Sequence, residues 1–291
     1  MKPGITREII QAYDEYTHLT LDRRGFMEKL TKLAGSGAAA AAIVPLLASN
    51  YARAEVVPAD DSRLAIEEIT YPGPAGDVKG YLAMPADAAG ELPAVIVVHE
   101  NRGLNPHIKD VTRRIALEGF VALGIDLLSR QGGTPATDEE AAEMFQGIDR
   151  AALVPDAVAA IPYLASLPAT NGKVGAIGFC FGAGIVNQMA VESPDLIAGV
   201  AYYGGQPAAE DVARIGDTRI LLHYAELDER INAGIPAYEA ALKDAGVDYT
   251  LHMYEGVNHA FNNDTSEARY DEAAATLAWT RTIDFLKASL S

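Results

Sequence analysis

The chain has 291 residues, 49% of them hydrophobic and 22% charged, so it is long enough and apolar enough to bury a sizeable core. Its formal net charge of −17 argues against nucleic acid or an anionic membrane as partner, since both are held through clustered Lys and Arg. A single cysteine excludes an internal disulfide and a Cys-rich zinc site.

The N-terminal stretch differs in kind from the rest. Leu21-Asp22-Arg23-Arg24-Gly25-Phe26-Met27 sets a twin arginine before a hydrophobic residue, and Lys29 and Lys32 follow. An uncharged Ala/Gly-rich stretch from Leu33 to Ala52 ends in Ala52-Arg53-Ala54, a small-x-small cleavage signature before Glu55. Residues 1–54 resemble a bacterial twin-arginine export signal, which implies the twin-arginine export machinery as partner and a periplasmic protein comprising residues 55–291. The alternative is a cytoplasmic protein with an N-terminal helix and a chance Arg-Arg pair. Pro45 and the Gly/Ala content speak against a permanent membrane span.

Leu64–Tyr71 and Val78–Met84 flank a Pro/Gly-rich turn at 72–76 and read as an antiparallel hairpin. Strand and helix patterns then alternate. Leu92–His99 is a continuous apolar run, as in a strand covered on both faces. Helical periodicity from Asn105 to Gly119 is followed by a strand at Phe120–Ile125 and one or two helices over Glu139–Leu167. A strand at Lys173–Phe179 precedes a helix at Phe181–Val191, and short buried strands follow at Gly199–Tyr203 and Arg219–Tyr224. A helix at Ala233–Ala245, a strand at Tyr249–Tyr254 and a terminal helix from about Glu267 to Leu290 complete the order. Such βαβα alternation predicts an α/β fold, a mostly parallel sheet flanked by helices in one domain.

In a sheet of this kind functional residues lie beyond the carboxyl ends of the strands. The run Gly178-Phe179-Cys180-Phe181-Gly182 follows an apolar strand and has the form of a nucleophile elbow with a thiol at its apex. Glu100-Asn101-Arg102 follows an earlier strand, Asp228 follows Arg219–Tyr224, and His259 follows Tyr249–Tyr254. The order nucleophile, acid, histidine is that of α/β-hydrolases. Cys180 would be the nucleophile, His259 the proton shuttle and Asp228 the group that fixes its tautomer. By position, the backbone N–H groups of Phe181 and Asn101 would form the oxyanion hole. Glu226 and Glu229 compete with Asp228 for the acid role. His18, His99, His107, His223 and His252 take the structural default of a lone histidine.

Five segments in order, His99-Glu100, Gly178–Gly182, Ala225–Asp228, Tyr254-Glu255-Gly256 and His259-Ala260-Phe261, resemble the dienelactone hydrolase (carboxymethylenebutenolidase) family over about residues 64–290. The resemblance implies an α/β-hydrolase fold and a Cys-His-Asp triad carried by Cys180, His259 and Asp228. It implies that Glu100 contacts the resting nucleophile and helps activate it. It implies no cofactor and no metal, and a small-molecule lactone or ester as substrate.

One departure bears on that substrate. Family members acting on dienelactone hold its carboxylate with arginines, one of them soon after the histidine, where this chain reads Asn262-Asn263-Asp264. Arg102, Arg130 and Arg150 are alternatives from other loops, and Arg102 is taken as the candidate substrate-binding residue. The fold also admits a thiol-sensing or binding protein without turnover, and a thioesterase or other acyl hydrolase.

Overall fold

The computed structural model describes residues 5–18, 20–48 and 55–291. Its centre is an eight-stranded sheet: β1 Leu64–Gly73, β2 Gly76–Pro85, β3 Leu92–Val98, β4 Val121–Ile125, β5 Thr170–Phe179, β6 Ala198–Tyr202, β7 Arg219–Ala225 and β8 Tyr249–Tyr254. The spatial order is β1-β2-β4-β3-β5-β6-β7-β8. The expected hairpin is present, with Leu64 opposite Pro85 and Gly73 opposite Gly76. β2 pairs antiparallel with β4, and every later pairing is parallel.

The apolar runs explain the layering. In β3, Ala94, Ile96 and Val98 enter one core while Val95 and Val97 enter the other, and all five are fully buried. The first core is completed by four helices: α5 Asp138–Gln146, α6 Val154–Ala165, α7 Phe181–Glu192 and α9 Ile235–Ala245. The second is completed by α4 Pro106–Leu117 and α10 Glu272–Leu290. α8 is the short turn Glu229–Asn232.

Helix ends follow local chemistry. Asn105 caps α4 through the Ile108 N–H, and Thr137 caps α5, whose first turn carries Asp138, Glu139 and Glu140. The stretch Glu139–Leu167 divides into α5 and α6 around the turn Arg150–Leu153, where Asp149 accepts from the Ala151 N–H. α10 starts later than its apolar pattern suggests, because Asp271 caps it at the Ala274 N–H and residues 262–270 are held in a loop.

The residues expected to act as an export leader form three helices on the body: α1 Arg7–Thr17, α2 Arg23–Ala34 and α3 Gly37–Leu47. Ile5, Ile9, Ile10, Phe26, Leu30 and Leu47 bury a small core of their own, with Ala268 of the body packed against it. Asp14 pairs with Arg269 at 3.1 Å, and Arg7 with Glu229 at 3.2 Å. Among the described residues no single helix is long and apolar enough to cross a membrane. α2 and α3 together pass by length and composition, but they are bent by 112° at their break. The proposed cleavage signature at 52–54, and with it the boundary at residue 54, lies outside the described residues.

β3 is flanked by β4 on one side and β5 on the other, so the strand order reverses there and opens a crevice beyond their carboxyl ends. The elbow stands in that crevice. A Cβ on Gly178 would lie 2.2 Å from the Gly182 carbonyl oxygen, and one on Gly182 would lie 2.3 Å from that of Val98. These contacts are backbone against backbone and have no side chain that can yield. Gly182→Ala is therefore expected to cost about 1–3 kcal/mol or more, as overpacking does. Thermal unfolding followed by circular dichroism should show a clear drop in Tm; an unchanged Tm would mean that helix and strand have slack there.

Candidate active site

Cys180 is the residue between β5 and α7, held at φ 53° and ψ −114°. Only three described non-glycine residues have positive φ, namely Cys180, Tyr203 and Ala260, and all three lie in or beside the crevice. Strain of this kind persists only where the surroundings enforce it. Here the enforcement is visible: the Cys180 N–H donates to the Tyr202 carbonyl at 3.0 Å, and the Tyr203 N–H to that of His223 at 2.7 Å. The sulfur sits at the N-terminus of α7, facing the positive end of the helix dipole.

Asp228 follows β7 and caps α8, accepting from the Ile231 N–H through Oδ1. Its Oδ2 lies 2.5 Å from Nδ1 of His259, which stands in the loop after β8, and both residues are buried. The competing acids are occupied elsewhere. Glu226 accepts from the Gly256 N–H at 2.7 Å, and Glu229 meets Arg7 at the surface.

Burial disfavours the imidazolium of His259, but the Asp228 carboxylate and then the Cys180 sulfur outweigh it, pushing the group up to about 10. Burial likewise pushes the Asp228 carboxyl up, yet the charge and hydrogen bond of His259 hold it below the usual carboxylate range. The other ring nitrogen of His259, Nε2, is buried with no hydrogen-bond partner.

Phe181 is the first residue of α7, so its N–H has no acceptor within the helix. Asn101 lines the same cavity, and its side-chain amide donates to the Thr17 carbonyl of α1. Glu100 is near the elbow but forms no hydrogen bond with Cys180; its Oε2 accepts from Asn263 Nδ2 at 2.7 Å. The hydrogen-bond neighbour of the sulfur is instead His18, whose Nε2 lies 3.3 Å from Sγ.

His18, expected to be structural, stands beside Cys180 in the structure. Docking of α1 sets its ring edge-on to that of His259, with centroids 4.6 Å apart. Its sequence neighbourhood, Tyr16-Thr17-His18 in a polar helix end, carries no catalytic signature. His99, His107 and His223 are buried and partnered within the fold: His99 accepts from the Leu127 N–H, His107 meets Asp264, and His223 bonds Thr282 and Tyr254. His252 is half-buried, stacked on His223.

The cavity above Cys180 and His259 has a volume of about 790 Å³, and Ile185, Val154, Arg150 and Arg230 are among its lining residues. Arg150 lies 5.9 Å from the Phe181 ring. Arg102 donates to the Asn101 carbonyl and lines a small polar cavity next door, and Arg130 pairs with Asp156 at 2.7 Å away from either. A further arginine, Arg269, follows the Asn262–Asp264 stretch and is buried beside the elbow, where Asp14 of α1 neutralises it.

The chain matches the model of the dienelactone hydrolase family over residues 78–290. It is 50% identical over 112 residues to the "Putative hydrolase fragment YghX" of Escherichia coli (strain K12), covering 38% of this chain and 96% of that protein. It is 30% identical over 250 residues to a "Putative carboxymethylenebutenolidase" of Escherichia coli O157:H7, covering 80% and 90% of the two chains. A solved structure described as a putative dienelactone hydrolase from Klebsiella pneumoniae superposes with a TM-score of 0.70 at 26% identity, over 77% of this chain and 98% of the other. With its mostly parallel sheet, its strand-end site and this match over most of its length, the chain belongs to the dienelactone hydrolase family and is a hydrolase of the α/β-hydrolase fold.

Proposed function

We propose that the protein opens lactones or cleaves small carboxylic esters through a thioacyl-enzyme formed on Cys180. The observation that carries this reading is the buried Asp228–His259 pair, whose free Nε2 shares a cavity floor with the thiol of a strained elbow. In the proposed reaction the Cys180 thiolate attacks the carbonyl carbon, and the carbonyl electron pair moves to oxygen beside the Phe181 and Asn101 N–H groups. Collapse breaks the C–O bond, and His259 gives its Nε2 proton to the departing oxygen. Water then attacks the thioester, His259 takes its proton, and the carboxylic acid leaves as the thiolate is restored.

Arg150 and Arg230 are exposed cations of the cavity lining, and no described carboxylate forms an ion pair with either. They are our candidates for holding a carboxylate on the substrate, in place of the cation absent from 262–264 and in preference to Arg102. A panel of lactones and esters with and without a carboxylate tests substrate and mechanism together. Hydrolysis should be abolished by iodoacetamide and fall by orders of magnitude in Cys180→Ser, whose hydroxyl is far harder to deprotonate. Full activity in Cys180→Ala would remove the covalent mechanism.

The charge pair also predicts a pH dependence. Because His259 is raised from 6.5 to about 10, its contribution to stability is complete below the ordinary value and lost as pH climbs through about 10. Asp228, lowered from 3.8, contributes above that value and loses its contribution as pH falls. For an alkyl ester, whose leaving group needs a proton, kcat/KM should decline on the alkaline side near pH 10. In Asp228→Asn that limb should move down towards 6.5. A limb that stays in place would separate it from His259.

For location, the twin-arginine reading is supported by the exposure of Arg23 and Arg24 at the start of α2, open to a receptor. A second reading, a cytoplasmic enzyme that keeps its N-terminal helices, is favoured by the burial of Ile9, Phe26 and Leu30 and by the Asp14–Arg269 pair. Cell fractionation with immunoblotting separates them. Export predicts that Arg23→Lys with Arg24→Lys shifts the protein from periplasm to cytoplasm; an unchanged distribution favours the second reading.

A further inference from the structure

We propose that His18, Cys180 and His259 form a zinc-binding site that closes the nucleophile when occupied. Sγ of Cys180 and one ring nitrogen from each histidine all lie within 4.8 Å of one another, the separation of Sγ from His18 Nε2 being 3.3 Å. A tetrahedral zinc with about 2.3 Å to sulfur and about 2.0 Å to nitrogen sets its donors roughly 3.3–3.6 Å apart. No pair of donors is more than 4.8 Å apart, within about 1.5 Å of that spacing.

The second observation is the orientation of the lone pairs. Nδ1 of His18 lies 2.7 Å from the Asp14 carbonyl, which only accepts, so this nitrogen carries the proton and Nε2 presents a lone pair to the sulfur. Nδ1 of His259 is held by the Asp228 carboxylate, which leaves its buried and unpartnered Nε2 as the available donor atom. A carbonyl or carboxylate behind each ring is the arrangement that orients histidines on a metal. Two imidazole nitrogens and a thiolate suit zinc, and the cavity reaches all three, leaving the fourth position for water. The sequence hides such a site because α1 brings His18 to Cys180 across 162 residues.

Binding releases one proton to the buffer from the Cys180–His259 pair, and both His259 Nε2 and the sulfur lone pair then serve the metal. Blocked hydrolysis as a consequence rests on the function proposed above; binding itself does not. The test is zinc binding to the full chain by competition with a chromophoric chelator, and cobalt substitution read by absorption. The expected result is one zinc per chain and a thiolate-to-cobalt charge-transfer band. Binding should weaken at least tenfold in His18→Ala and Cys180→Ser, given that losing even an outer-shell partner costs roughly 10–100-fold. Zinc should also protect Cys180 of the parent protein from iodoacetamide, a measurement that needs no variant to fold. Unchanged affinity in a folded His18→Ala, no charge-transfer band, or alkylation at the same rate with zinc present would each overturn the site. Loss of ester hydrolysis as an activity, with zinc bound as described, would overturn only the functional reading.

Discussion

The structure depends on one steric constraint, the close approach of β5 and α7 at the elbow. With no room for a Cβ at Gly178 or Gly182, the backbone passes through a left-handed turn at Cys180 and starts a helix at once. That turn lifts the sulfur out of the sheet and over the helix N-terminus. The flanking strands then fix where its partners stand, since β7 and β8 end beside β5 and β6 in one parallel register. A strained residue is held in place by the packing of two cores beneath it.

Buried charge is handled by pairing throughout this region. Asp228 meets His259, Asp14 meets Arg269, and Asp264 meets both His107 and Arg114. Each removes from water a group that would be costly alone, and each fixes a side chain in one orientation. For the histidine the outcome is a defined tautomer and a raised proton affinity. For Arg269 the outcome is different: a cation beside Cys180 is already satisfied by the protein, so the cations left for a ligand are those of the larger cavity.

Most of the fold was legible because its signals are local. Apolar runs, glycine at the elbow and the strand-end positions of Asp228 and His259 are each short-range patterns, and the hairpin and parallel order followed from them. What was not legible depends on surfaces meeting. Docking of α1–α3 on the body has no local signature, and the same Ala/Gly-rich composition that packs helices also reads as a leader. The place of His18 beside Cys180 has no local signature, because the two lie 162 residues apart. The expected contact of Glu100 with the resting thiol is replaced by one with Asn263, in the stretch 262–264 that carries no cation, whose amide donates to its carboxylate. Arg269 was missed because the loop holding it folds back from the α10 cap.

The contact of α1 with the elbow bears on what counts as one enzyme. Asn101, a lining residue of the cavity, is tied through its side chain to Thr17, and the next residue, His18, touches the sulfur. A chain shortened to begin at Glu55 would keep the sheet, the elbow and the Asp228–His259 pair, yet it would have a wider mouth and a released Arg269. Rates and specificities measured on the two lengths would describe two different pockets, and ligands selected against one would carry no assurance of fitting the other.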